Sequence, residues 1–146
     1  MNQYPVKVQL LDENCEPTKT HLTDGGWDLR SRNDSFTLFQ GAKVEVKTGI
    51  KLAIPKGQVG LIVPRSGLGC KYRLELANTV GCIDSDYRGE VIVWLTNNGN
   101  EDIEINQYDR FAQILFVPVN ISKLRIMSSL PGTKRGDGGF GSTGED

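Results

Sequence analysis

A single all-β domain, a sandwich or barrel, is what the sequence predicts, and two observations predict it. Glycine supplies 17 of 146 residues, well above the roughly 7% of ordinary chains, the punctuation of many short strands joined by tight turns. Apolar or β-branched residues alternate with polar ones over residues 6–11, 43–54, 58–64, 90–95, 102–105 and 113–119, the two-residue period of half-buried strands.

The turns between these runs have their own chemistry. Asp24-Gly25-Gly26, Pro55-Lys56-Gly57 and Asn97-Asn98-Gly99-Asn100 supply residues that accept positive φ or arrive with φ preset. Apolar residues nowhere recur at helical spacing for three turns, and only a short helix after Ser66 is compatible with the pattern. No internal repeat is present. Residues 1–130 therefore read as one β domain, and residues 131–146 as a separate arm. Six of the arm's residues are glycine and Phe140 is its one large apolar side chain, so it builds no core and should be mobile in the free protein.

Composition narrows the function classes. With 38% hydrophobic and 24% charged residues, a chain of this length buries roughly 70% of its unfolded surface as one soluble domain. Seventeen basic against eighteen acidic residues give a formal charge of −1, without the basic excess of a general nucleic-acid or membrane-surface binder. The longest apolar runs, around Ile62 and Leu115, fall far short of the roughly 20 residues that span a bilayer, and the start carries Lys7 where a signal peptide would be apolar. Cys15, Cys70 and Cys82 are odd in number and lack metal spacing, so neither a disulfide framework nor a zinc site is indicated and a cytoplasmic setting is expected.

Several segments carry chemistry, each with a plain alternative. RGDGGFGSTG, residues 135–144, joins one cation, two hydroxyls, an aromatic ring and open backbone amides, a set suited to phosphate plus a flat base; a merely flexible tail is the alternative. Its Gly136, Gly138 and Gly141 spell a dinucleotide fingerprint, but no helix has room to follow, and the Lys of a Walker loop is missing. PRSGLG, residues 64–69, could grip phosphate through Arg65 and Ser66 with Gly67 admitting backbone, or could simply end a strand. GCIDSDYRGE, residues 81–90, offers a carboxylate beside an aromatic platform, or a charged hairpin turn; counted from Asp84 as a calcium loop it fits only at Gly89. In TDGGWDLRS, residues 23–31, Asp28 faces either solvent or a metal. His21 has no partner and is assigned no role.

Taken in order, DGGWDLRS, PRSGLG, NTVGCIDSDYRGE, DRFAQILF and RGDGGFGSTG resemble the five motifs of the trimeric deoxyuridine triphosphatases, the dUTP pyrophosphatases, and the resemblance covers the whole chain. It implies a jelly-roll-like β subunit in a homotrimer, with each active site built from three chains and closed by a swapped C-terminal arm. It also implies hydrolysis of dUTP to dUMP and pyrophosphate, which limits uracil in DNA and supplies dUMP for thymidylate synthesis. Asp84 then orients and polarises the water that attacks the α-phosphorus, and Tyr87 packs on the deoxyribose. A hairpin around residues 78–84, with Asn78, Gly81, Cys82 and Ile83, reads uracil, and Ile92 joins the substrate contacts. Phosphates fall to Arg65, Ser66, Gly67, Gln113, Arg135, Gly141, Ser142 and Thr143, with Phe140 over the base. Mg2+ bridges the phosphates, reached by Asp28 through water. Arg110 is weighted as structural, in an intersubunit ion pair.

Some positions depart from the family pattern. Gly25-Gly26-Trp27-Asp28 stands for the common Ala-Gly-Tyr-Asp, Cys82 for Val or Leu, and Lys71-Tyr72-Arg73 is more basic and bulkier than expected. The nearest alternative is a dCTP deaminase on the same fold; a second is a jelly-roll nucleotide binder without hydrolysis, and a regulatory protein partner is compatible with either.

Overall fold

The computed structural model describes residues 5–139. Ten strands and one short helix run in the order β1 (Lys7–Leu10), β2 (Trp27–Arg30), β3 (Phe36–Leu38), β4 (Lys43–Ala53), β5 (Gln58–Pro64), α1 (Ser66–Tyr72), β6 (Leu74–Leu76), β7 (Gly81–Ile83), β8 (Glu90–Asn97), β9 (Ile103–Ile105) and β10 (Arg110–Pro118). Two four-stranded sheets, β1-β4-β8-β6 and β2-β10-β5-β7, face each other, and β3 with β9 forms a small third sheet. Every pairing is antiparallel.

The core follows from alternation. Val46, Thr48, Ile50 and Leu52 of β4 are buried, as are Val91, Val93 and Leu95 of β8, while Lys47, Ile92 and Trp94 between them face outward. Ile62 of β5 and Phe111, Ala112 and Ile114 of β10 close the core from the opposite sheet. The buried Thr48 hydroxyl donates to the Val91 carbonyl at 2.7 Å, so no polar atom is stranded there. At Gly49, where β4 shifts register against β8, φ is +70° and a Cβ would fall 2.7 Å from that of Cys15, so this bulge admits only glycine.

The six periodic runs are strands with ends moved by a residue or a few. β2, β3, β6 and β7, three or four residues each, were not among the runs that alternation marked, although β1 and β9 are as short and were. Each of the four is held by its neighbour's ladder. The short helix after Ser66 is present. It stops at Arg73, which adopts φ 54°, ψ 36° and returns its N–H to the Gly69 and Leu68 carbonyls.

One expectation is corrected. Residues 78–84 do not form a two-stranded hairpin: β6 ladders with β8 and β7 with β5, so the connection crosses from one sheet to the other. The crossing is made by a turn in which Thr79 takes φ 68° and donates to the Leu76 carbonyl. β10 ends at Pro118, and beyond it Ile121, Leu124, Ile126 and Leu130 are 73–98% exposed.

Candidate active site

One cleft gathers three of the sequence motifs. Asp28 on β2 sits in register with Gln113 on β10, and Gln113 with Val63 on β5, so the end of β5 and the start of α1 lie beside both. The cleft, about 490 Å³, is lined by Asp24, Gly25, Gly26 and Asp28, by Arg65, Ser66 and Gly67, by Gln113, and by Lys19 and Lys71. Asp28 is neither solvent-facing nor free. Its Oδ1 accepts from Arg65 Nε at 2.9 Å and its Oδ2 from Arg110 Nη1 at 3.1 Å, with its side chain only 15% exposed. Arg65 Nη1 also donates to the Arg110 carbonyl at 3.1 Å. Arg110 is thus paired with Asp28 within its own chain. The reason is register: the bulge between Arg110 and Ala112 opens β10 beside Arg30 and Asp28 of β2.

These bonds fix the guanidinium plane while leaving Arg65 Nη2 without a partner among the described residues, beside the open amides of Ser66 and Gly67. Gln113 is fixed in turn, its Nε2 donating to the Pro64 carbonyl at 3.1 Å. A Cβ on Gly26 would fall 2.5 Å from Gln113 Oε1, so glycine there keeps the amide in place. A preset cation, open backbone N–H groups and a side-chain amide on one wall form an oxyanion receptor. Lys19 and Lys71 were missed by the motif reading. Lys19 lies 4.8 Å over the Trp27 ring and Lys71 4.9 Å over Tyr72, which gives the unusual Lys71-Tyr72 pair a place on the cleft wall.

A second cleft, about 390 Å³, lies on β6, β7 and β8, lined by Leu76, Ala77, Asn78, Gly81, Cys82, Ile83, Ile92 and Trp94, with Ile62 behind. It shares no lining residue with the first. β7 pairs only with β5 among the described residues, so its other edge presents unpaired backbone donors and acceptors. Trp94 belongs to none of the motifs; its place two residues after Ile92 on the outward face of β8 was the available signal. Asp84 and Tyr87 stand just beyond, on the exposed loop that joins β7 to β8, where Tyr87 N–H donates to the Asp84 carbonyl at 3.2 Å and Tyr87 O–H to the Glu90 carbonyl at 2.9 Å.

Other predicted residues lie elsewhere. Arg135 belongs to the exposed C-terminal segment, donates through Nε to the Gly138 carbonyl at 2.7 Å and lines neither cleft. Phe140, Gly141, Ser142 and Thr143 fall outside the described residues. Among the described residues no group of three or more His, Cys, Asp or Glu side chains could cage a metal ion. No helix among them is long and apolar enough to cross a membrane.

The dUTPase family model matches residues 13–144. A deoxyuridine 5'-triphosphate nucleotidohydrolase of Desulfitobacterium hafniense is 42% identical over 99% of both chains. One from Haemophilus influenzae is 41% identical over 96% of this chain and 97% of its own. Among solved structures, a Staphylococcus bacteriophage 80alpha dUTPase with dUPNHPP superposes at a TM-score of 0.88, 27% identical, over 98% of this chain and all of its own. A mutant dUTPase from phage phi11 of S. aureus, described for its coordination of a structural Mg(II) ion, superposes at 0.77, 27% identical, over 86% of this chain and 98% of its own. With the family matched over nearly its full length and both relatives well above 30% identity, this chain belongs to the dUTPase family.

Proposed function

We propose that the protein hydrolyses dUTP to dUMP and pyrophosphate, by in-line attack of water on the α-phosphorus. The observation that carries the reading is the preset Arg65–Asp28–Arg110 cluster beside Ser66, Gly67 and Gln113, an anion receptor on a chain of this family. Arg65, Ser66, Gly67 and Gln113 bind the phosphates. Asn78 and the free edge of Gly81, Cys82 and Ile83 read uracil through main-chain groups, with Ile92 against the ring. Cytosine offers the inverse donor and acceptor pattern, and each mispaired buried group costs roughly 1–3 kcal/mol. Asp84 holds and polarises the attacking water, and Tyr87 packs on the deoxyribose where a 2′-hydroxyl would clash.

Two clefts without a shared lining residue argue for assembly: the phosphate cleft of one copy serves the base cleft of another. The exposed Ile121, Leu124, Ile126 and Leu130 supply apolar surface for that association, which we read as a homotrimer. The arm, 131–146, then brings Arg135, Gly141, Ser142 and Thr143 to the phosphates and Phe140 over the base. Mg2+ fits this donor set only as an ion held by phosphate oxygens and water, since Asp28 spends both carboxylate oxygens on arginines yet keeps lone pairs for an ion's waters. When bound it offsets phosphate charge.

Pyrophosphate release from dUTP, dCTP, dTTP and UTP with Mg2+ tests the reading, with Asp84→Asn as control. Release from dUTP alone, reduced about 10²–10⁴-fold in the variant, is expected. Ammonia release from dCTP, or no release from any nucleotide by folded protein that binds dUTP, overturns it.

A further inference from the structure

Arg88 is a large cation with no evident electrostatic reason for its position. It forms no ion pair among the described residues, and it shares a shallow groove with two more cations, Lys7 and Lys51. Its Nη1 amino group is instead spent on main-chain carbonyls: Ser85 at 2.8 Å, Tyr87 at 2.9 Å and Leu52 at 3.4 Å. Ser85 and Tyr87 are loop residues between β7 and β8. Leu52 lies one residue past Lys51, the last β4 residue paired with β8. The guanidinium therefore continues the β4 edge where strand pairing has stopped, and ties the loop to it.

The loop's far end is fastened independently. Glu90 Oε1 accepts from Gly49 N–H at 2.9 Å and lies 3.5 Å from Arg32 Nη1, while Tyr87 O–H reaches the Glu90 carbonyl. Between these anchors, the backbone that aims the Tyr87 ring is held by Arg88 and by the Tyr87 N–H bond to the Asp84 carbonyl. All three bonds leave the one Nη1 group, so removing the guanidinium breaks them together.

We infer that Arg88 is a positioning residue that sets sugar selectivity, by holding the 84–88 backbone so that the Tyr87 ring closes against a deoxyribose. This rests on the reading of Tyr87 under the proposed function. A loop left to drift by about 1 Å at such a site loses roughly ten- to a hundredfold in the discrimination it performs.

The readout is the ratio of kcat/KM for dUTP to that for UTP, measured on the full chain for wild type, Arg88→Met, Tyr87→Ala and the double variant. Arg88→Met is expected to lower the ratio roughly tenfold or more with Tm within about 5 °C of wild type. In the Tyr87→Ala background it should lower it no further, because both act through one ring. An unchanged ratio in Arg88→Met beside a lowered one in Tyr87→Ala overturns this inference alone, as do losses that multiply in the double variant. A Tyr87→Ala protein with the wild-type ratio overturns the reading of Tyr87, and the inference with it. Should Arg88→Met fail to fold, Arg88→Ala takes its place with the same ratio: a loss restored by free guanidinium supports the role of the Arg88 guanidinium, and a wild-type ratio overturns it.

Discussion

The cleft we assign to phosphate and the cleft we assign to the base are built on opposite principles. In the first, side chains lock one another: Arg65, Asp28 and Arg110 form a cluster across β2, β10 and the end of β5, and Gln113 is pinned to Pro64. In the second, the main chain does the presenting. β7 offers a free edge, and the loop after it is aimed by bonds among carbonyls, one guanidinium and one phenol. Phosphate is a strong, nearly featureless anion, so a rigid cation and open amides suffice for it. A base must be told from close relatives, and main-chain groups fixed by a ladder offer a donor and acceptor pattern that no rotamer change can blur.

The two halves should therefore break differently. Arg65→Met gives the largest effect, because it removes the phosphate cation and frees the Asp28 carboxylate from one of its two partners. A loss of about 1.5–3 kcal/mol in urea unfolding is expected for that charged hydrogen bond, together with a fall in kcat/KM on dUTP of about 10²-fold or more. An unchanged kcat/KM would remove Arg65 from the substrate contacts. Gly26→Ala tests the same cleft more gently. Its new Cβ displaces the flexible end of Gln113, so dUTP binding measured by calorimetry should weaken about tenfold, the worth of one hydrogen bond, with little change in stability. Wild-type affinity would show that the Gln113 amide is not a contact.

The smallest expected effect lies outside both clefts and sharpens the comparison by affecting neither. Arg73 holds a left-handed conformation at the end of α1, which costs a non-glycine residue roughly 1–2 kcal/mol, while glycine would lose backbone entropy of roughly 0.5–1 kcal/mol. Arg73→Gly should thus raise stability by about 0.5 kcal/mol in urea unfolding and leave turnover alone. A destabilised variant would mean that the Arg73 side chain contributes more than its distant approach to Glu75, at 4.0 Å, suggests.

Much of this was legible in residue order. Alternation over residues 43–54 and 90–95 marked the central strands, since burial on one face leaves a period of two in any sequence that makes it. Motif order pointed to Arg65, Ser66, Gly67, Gln113, Asn78 and Cys82 as site residues, and the structure sets them on two cleft walls. The three-residue β6 and β7 were not among the runs that alternation marked, and the 78–84 hairpin came only with the family resemblance, which does not say which sheet receives the next strand. Lys19, Lys71 and Trp94 belonged to no recognised motif and became visible only through their neighbours.

The sequence by itself determined the class of the fold, the order of its motifs and the family they resemble, because periodicity and motif spacing are properties of the chain taken one residue after another. Only the tertiary structure decided that Asp28 is shared by two arginines, that the β7 edge stays open, that the two clefts are separate on one chain, and that Arg88 serves carbonyls rather than carboxylates. Those facts join residues between 1 and 82 positions apart, and which side chains meet across the sheets is set by strand register and sheet order, which the local pattern does not encode.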